Sequence, residues 1–284
     1  MTAANPEPIA DDSEAPMSSD AIESVAFLAR SEHRLRVLDL LSDGPRSRDE
    51  LSEKTGVTRV TLSRILGDLT DRGLIARHTA ANDYALTGFG DLVYEDFTRL
   101  LGTVSVGQRY PDVVGRLPTE WFGFDLRHLR DSELVTGGAA DPLSAARIVA
   151  NTVREASSCR SLLGTFISVP MYAFEEALRA GDAPEGMVVF DAGVTETMLD
   201  DPDLRERWQE IEAAVGSTVY YSVDDRVPCS IDLVDDETVF LTVDREHDGG
   251  FDVLRCTHPE VVAWARETVM KYREDAVPLG QRAE

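Results

Sequence analysis

Apolar positions recur along this 284-residue chain with two different periods, and the change of period divides it. From Ala21 to Gly107 the spacing is helical. Val25, Leu28, Leu35, Leu38 and Leu41 mark one stripe, and a break near Ser31 predicts two helices there. Leu62, Leu66 and Leu69, at i, i+4 and i+7, mark the next. Phe89, Leu92, Val93, Phe97, Leu100, Leu101 and Val104 give a helix over 88–107 a wide apolar face. From Asp141 onward, helical stretches alternate with short apolar runs that read as strands, at 159–167, 186–191, 217–223, 227–233, 238–243 and 251–256. The helices are expected at 141–157, opened by Asp141 as N-cap and by Pro142, at 171–180, closed by Gly181, at 194–215, restarting at Asp201-Pro202, and at 258–273. Helices between strands argue for an α/β layer fold, with antiparallel hairpins near its end.

The stretch Ser47–Leu74 carries the most specific local signals. Ser47 and Glu50 form a capping box, Leu51 begins an apolar face, and Gly56 supplies a left-handed stop. Thr58 then caps a second helix that ends at Gly73. Helix, glycine turn and helix is the layout of a helix-turn-helix, whose second helix lies in the major groove of DNA. Leu74-Ile75 and Tyr84-Ala85-Leu86 are short strands around a turn at 80–83, which makes a wing. Three helices and a hairpin in about 55 residues form the winged-helix order, far more specific than a lone helical hairpin.

The residues off the apolar stripe are the candidate DNA contacts. Arginine pairs with guanine edges or phosphate, serine and threonine bond either, and a small apolar side chain meets a thymine methyl. Arg59, Val60, Ser63 and Arg64 are expected to read bases, Thr58 to bond phosphate and Thr61 to do either. Arg46, Arg48 and the wing residues Arg77 and His78 are expected to hold phosphate. A helical hairpin with a solvated polar face explains the same pattern more blandly. The absence of any acidic residue from Thr58 to Gly67 weighs against that.

Charge changes the picture. The net charge is −24, unusual for a DNA binder, yet residues 30–80 hold ten Lys and Arg against eight Asp and Glu. That segment is +2 and the remainder −26, so the one non-acidic region is the one proposed to meet phosphate. Lysine is confined to Lys54 and Lys271, against 26 arginines. Abundant acid with little lysine is the surface of a salt-adapted protein and points to a halophilic archaeon. In such salt, counterion release contributes less to binding, and base contacts, shape and packing must contribute more. Cys159, Cys229 and Cys256 are far apart and form no C-x-x-C pair, so buried free thiols are expected. No run of about eighteen apolar residues exists, and the N-terminus lacks the basic start and apolar stretch of a signal peptide. A cytoplasmic protein is expected.

With both halves in view, the chain resembles haloarchaeal winged-helix transcriptional regulators. The matching residues are FLARSEHRLRVLDLLSDGPRSRDEL, GVTRVTLSRILGDLTDRGLI, LPTEWFGFDLRHL, VDDETVFLTV and AWARETVMKYREDAVPL, within a span from Val25 to Leu279. The C-terminal part looks like the regulator middle domain first recognised in a methanogenesis regulator, and more distantly like the phospholipase-D-like effector domain of archaeal sugar-responsive regulators. The resemblance implies a DNA-binding regulator, a homodimer and a C-terminal sensory or interaction domain, without fixing a ligand. It also places Arg59–Arg64 on the recognition helix.

The expected fold class is an α+β winged helix-turn-helix domain over 21–87 followed by an α/β sensor-like domain over 121–277. Residues 88–120 form a connecting and dimerisation helix with linker, 1–20 a disordered arm, and 278–284 a frayed tail. Trp121, Phe122 and Phe124 should lock the linker onto the second domain. A phospholipase-D-type hydrolase needs H-x-K, and none of the five histidines is followed by x-Lys. Nucleotide-binding and zinc spacings are absent too, and acidic pairs such as Asp235-Asp236 read as turns in so acidic a chain. No catalytic residue, metal or cofactor is expected. The reading is a sequence-specific transcriptional regulator that binds double-stranded DNA and responds to a small-molecule effector or a partner. Its rival is a protein-interaction adaptor whose winged helix binds protein. The acidic surface suits the adaptor; the arginine-bearing, acid-free turn argues against it.

Overall fold

The computed structural model describes residues 18–78, 82–137, 141, 143–245 and 250–283. The expected arm over 1–20 therefore lies, through residue 17, outside the described residues, as do residues 80 and 81 of the wing turn and Pro142. The chain divides into two compact units between Leu100 and Leu101.

The first unit contains α1 (Ser19–Ala29), α2 (Glu32–Ser42), β1 (Arg46–Ser47), α3 (Arg48–Thr55), α4 (Arg59–Asp71), β2 (Ile75–His78) and β3 (Asp83–Leu86). The break near Ser31 is a cap: its hydroxyl accepts the N–H of Arg34 at 3.4 Å. β1, β3 and β2 form an antiparallel sheet in that order. β1 is too short to be visible as a sequence period. Leu28, Leu38, Leu51, Leu62, Leu66 and Ile75 close the core between helices and hairpin. Helix α5 (Gly88–Arg109) begins where Thr87 Oγ donates to the Gly73 carbonyl at 2.6 Å and accepts Gly90 N–H at 2.9 Å. That clamp needs a glycine, because a Cβ on Gly90 would fall 1.8 Å from the Leu74 carbonyl oxygen.

The second unit holds the remainder of α5, then α6 (Pro111–Val114), β4 (Glu133–Thr136), α7 (Ser144–Glu155), β5 (Ser158–Leu163), α8 (Ser168–Ala180) and β6 (Glu185–Phe190). It continues with α9 (Ala192–Asp200), α10 (Pro202–Val215), β7 (Tyr220–Ser222), β8 (Ser230–Val234), β9 (Thr238–Asp244), β10 (Phe251–Cys256), α11 (Pro259–Asp275) and β11 (Val277–Pro278). Its eight strands run in the order β11-β7-β6-β5-β8-β9-β10-β4. β5, β6 and β7 are parallel, and every other pairing is antiparallel. The expected α/β layers are thus present, with the antiparallel hairpins in the second half.

Strand alternation gives the sheet two unlike faces. One carries Leu162, Val189, Ile231, Leu233 and Leu241 and packs on Val261, Ala265 and Val269 of α11. The other lies under α7 through Val149, Val153 and Phe240, and under α8, α9 and α10 through Phe174, Met198, Trp208 and Phe190. Trp121, Phe122 and Phe124 do lock the linker to this unit: each ring lies 5.0–5.3 Å from Trp264 of α11, edge-on. Three readings change. Helix α7 starts at Ser144, and Asp141 pairs with Arg147 instead of capping. β4 was not foreseen; it is a short edge strand paired on one side only. The C-terminal segment is not frayed: β11 pairs with β7, Leu279 is fully buried in a short 3-10 turn, and Arg282 meets Asp224 at 2.8 Å.

Candidate nucleic-acid interface

Helices α3 and α4 are joined as the sequence expects. Ser47 Oγ accepts Glu50 N–H at 3.3 Å, and Ser47 N–H donates to Glu50 Oε2 at 2.8 Å. The Ser47 hydroxyl also donates to Glu50 Oε2 at 2.7 Å, and this bond, followed by the one from Ser47 N–H, holds the Glu50 carboxyl below its usual value. Gly56 sits at φ 67, the left-handed region where an L side chain is strained. Thr58 then turns extended and its hydroxyl accepts Thr61 N–H at 3.2 Å, while the two threonine oxygens lie 3.0 Å apart. Four backbone N–H groups at a helix start lack helical partners, and this pair of threonines covers part of that deficit.

Burial sorts α4 by face. Leu62, Ile65, Leu66 and Leu69 point into the core. Arg59, Val60, Ser63 and Arg64 are exposed, Val60 at 82 %. An apolar side chain held so open does nothing for the fold. Thr61 is half-buried by its bond to Thr58.

The remaining candidates divide. Arg48 is exposed and donates to the Arg59 carbonyl at 3.2 Å, tying the start of α3 to the start of α4. Arg46 is a brace: Nε donates to the Leu40 carbonyl at 2.8 Å, and the side chain is only 20 % exposed. On the wing, Arg77 donates to Asn82 Oδ1 at 2.6 Å and His78 is exposed. Asn82 sits at φ 57, tolerable for asparagine. Arg34 and Arg72 flank the Phe27 ring at 3.7 and 4.1 Å and serve the fold.

One neighbour was not legible in the sequence. Asp49 of α3 reaches Arg59 of α4 at 3.8 Å, so the stretch free of acid in sequence is not free of it in space. The two stand ten positions apart in sequence, and only the angle between the helices brings them together. Both side chains are more than four-fifths exposed, and the pair is loose.

Residues 22–109 match the family model of the HVO_A0261 N-terminal domain, and residues 142–275 match that of the middle domain of the methanogenesis regulatory protein FilR1. The chain belongs to the winged-helix regulators with a FilR1-type middle domain. Among solved structures, TrmBL2, an archaeal chromatin protein with its own mode of DNA binding, is 15% identical over 92% of this chain and 100% of its own, at a TM-score of 0.39. Nuc, a phospholipase D family member from Salmonella typhimurium, is 16% identical over 52% of this chain and 97% of its own, at 0.40. Ligand-free NadR is 22% identical over 36% of this chain and 77% of its own, at 0.24. Likenesses this loose carry no argument. No curated protein matches. In this regulator no helix among the described residues is long and apolar enough to cross a membrane.

Proposed function

We propose that the protein is a sequence-specific transcriptional regulator that binds double-stranded DNA as a homodimer and takes its signal through the second unit. The observation that carries this reading is the outer face of α4: Arg59, Val60, Ser63 and Arg64 stand exposed on a helix start fixed by a left-handed glycine and a threonine cap. These four read bases, and Thr61 follows them or the backbone. Thr58, Arg48, Arg77 and His78 hold phosphate, and Arg46 contributes by bracing the loop before α3. The positive end of α4 adds to phosphate attraction.

The dimer is assigned to α5. Phe89, Leu92, Leu100, Leu101 and Val104 are 41–64 % exposed along it, whereas Phe97 and Val106 are buried. A long helix with apolar residues on both its buried and its open side has a surface left for a partner. The test is genome-wide occupancy of the tagged protein in a salt-rich host, beside an Arg59→Ala, Arg64→Ala double variant. Discrete promoter peaks that vanish in the variant are expected. An absence of peaks in the wild type across growth conditions would favour the protein-binding adaptor, with the acidic surface as its contact.

A further inference from the structure

Four carboxylates are buried among the described residues: Glu175, Asp191, Asp232 and Asp252. Three are answered. Asp252 receives Arg116 and Arg245, and Glu175 receives Arg179 and Arg207. Asp191 caps α9, accepting Val194 N–H at 2.8 Å and Val227 N–H at 3.3 Å. Asp232, 7 % exposed on β8 in the middle of the sheet, is the exception. Its side chain accepts one hydrogen bond among the described residues, from Ser161 Oγ at 2.6 Å. Burial pushes its carboxyl up to about 6.

The same residue lines a cavity of about 70 Å³ under α7 and α8. The walls are Val149, Val153, Met171, Phe174, Val188 and Phe190. The floor is a polar patch on neighbouring strands, with Ser161 opposite Asp232 and Ser230 opposite Thr242. Ser230 Oγ accepts the N–H groups of Gly164 and Thr165, both at 3.0 Å, and so fixes the loop that closes one side. Among the described residues no arginine, lysine or histidine lines the cavity. The opposite face of the sheet is aliphatic at the corresponding positions, so the polar patch is not a requirement of the fold.

We propose that this cavity binds a small apolar molecule ending in a cationic amine, with the amine on Asp232. A buried carboxylate without a cation is costly, and a ligand cation supplies what Asp252 and Glu175 obtain from arginine. An anionic ligand would set a second negative charge beside the first with nothing to balance either. An alcohol would add a hydrogen bond and leave the charge uncompensated. A water needs roughly 10–15 Å³ of such space, so the cavity suits a ligand of about five to seven heavy atoms. Its regulatory meaning rests on the reading of this unit as the effector domain; the binding itself does not.

The test uses the full chain in molar KCl with butylamine, butanol and butyrate as probes of matched shape. Calorimetry should give a saturable heat for butylamine, with the alcohol and butyrate at least tenfold weaker, and Tm should rise with the amine alone. Asp232→Asn, checked for native circular dichroism, should lose that response. In the wild type, butylamine affinity should fall between pH 7 and pH 5 as Asp232 takes up its proton. No heat from butylamine, equal binding of the alcohol or butyrate, or unchanged binding by folded Asp232→Asn would overturn the proposal. Should that variant not fold, the pH series decides, and affinity independent of pH overturns it. DNA titrations without amine stand apart: their failure would sink the regulator and leave the amine site intact.

Discussion

His128 and His258 lie face to face, ring centroids 4.2 Å apart and planes 8° from parallel. Among the described residues His128 Nδ1 is buried without a hydrogen-bond partner, and His258 Nδ1 accepts Glu260 N–H at 3.3 Å as the cap of α11. Burial, then the neighbouring His258, lowers the His128 pKa; Asp125 and Glu260 pull weakly the other way. The fold therefore prefers neutral His128. Between its lowered value and the usual value near 6.5, the unfolded chain binds more protons than the folded one, so stability falls as pH drops through that window. Asp232, raised to about 6, slopes the other way in wild type and variant alike, so His128 is read as the difference between them: in urea denaturation the stability of the wild type relative to His128→Asn should be level above about pH 6.5 and fall below it. An unchanged slope in the variant would remove His128 as the cause. At this scale the sequence displays Arg59, Val60, Ser63 and Arg64 because helical period alone places them. It hides the histidine pair, whose members are 130 residues apart in sequence. It also hides Asp232, one acid among 52 Asp and Glu until burial singles it out.

Helix α5 raises the element-scale question, since its exposed apolar side chains recur along its whole length. If they seal a dimer, paired charges there should open it. Leu92→Glu with Leu100→Glu should weaken self-association at least a hundredfold by analytical ultracentrifugation, leaving helix content unchanged. A wild type that sediments as a monomer would end the dimer assignment. Helices were legible because their ends carry local chemistry: the Ser47 box, Gly56, Thr58, Asp201-Pro202 and Gly181 all act within a turn of where they stand. Strands were legible only in part. Apolar runs such as 251–256 revealed themselves, but β1, β4 and β11 owe their existence to a distant partner rather than to a period. Which strands pair, and the switch from parallel to antiparallel at β5 and β8, is likewise non-local information.

At the scale of the whole molecule, charge decides how DNA would be held. With −24 overall, long-range attraction to DNA is poor, and what remains is short-range. Arg48, Arg59, Arg64 and Arg77 are the candidate cations on the face. If all four neutralised phosphate, log affinity would fall with log salt at a slope of about −4 per protomer. Arg59 and Arg64 are instead proposed to read bases, so a shallower slope is expected in a KCl titration on the operator. A slope steeper than that would mean cations elsewhere take part.

The three free cysteines give this unit a clock. Cys159, Cys229 and Cys256 are buried, and burial pushes the Cys159 thiol up to about 12 and raises Cys229 as well. A thiolate must form and meet its reagent, so none of the three reacts until the sheet parts from its covering helices. Under native conditions a chromogenic disulfide should therefore colour only as fast as the unit breathes, and a bound ligand that steadies the fold should slow the colour. Three equivalents should appear at once in denaturant; prompt reaction of the native protein would show that the sheet opens far more often than its packing suggests.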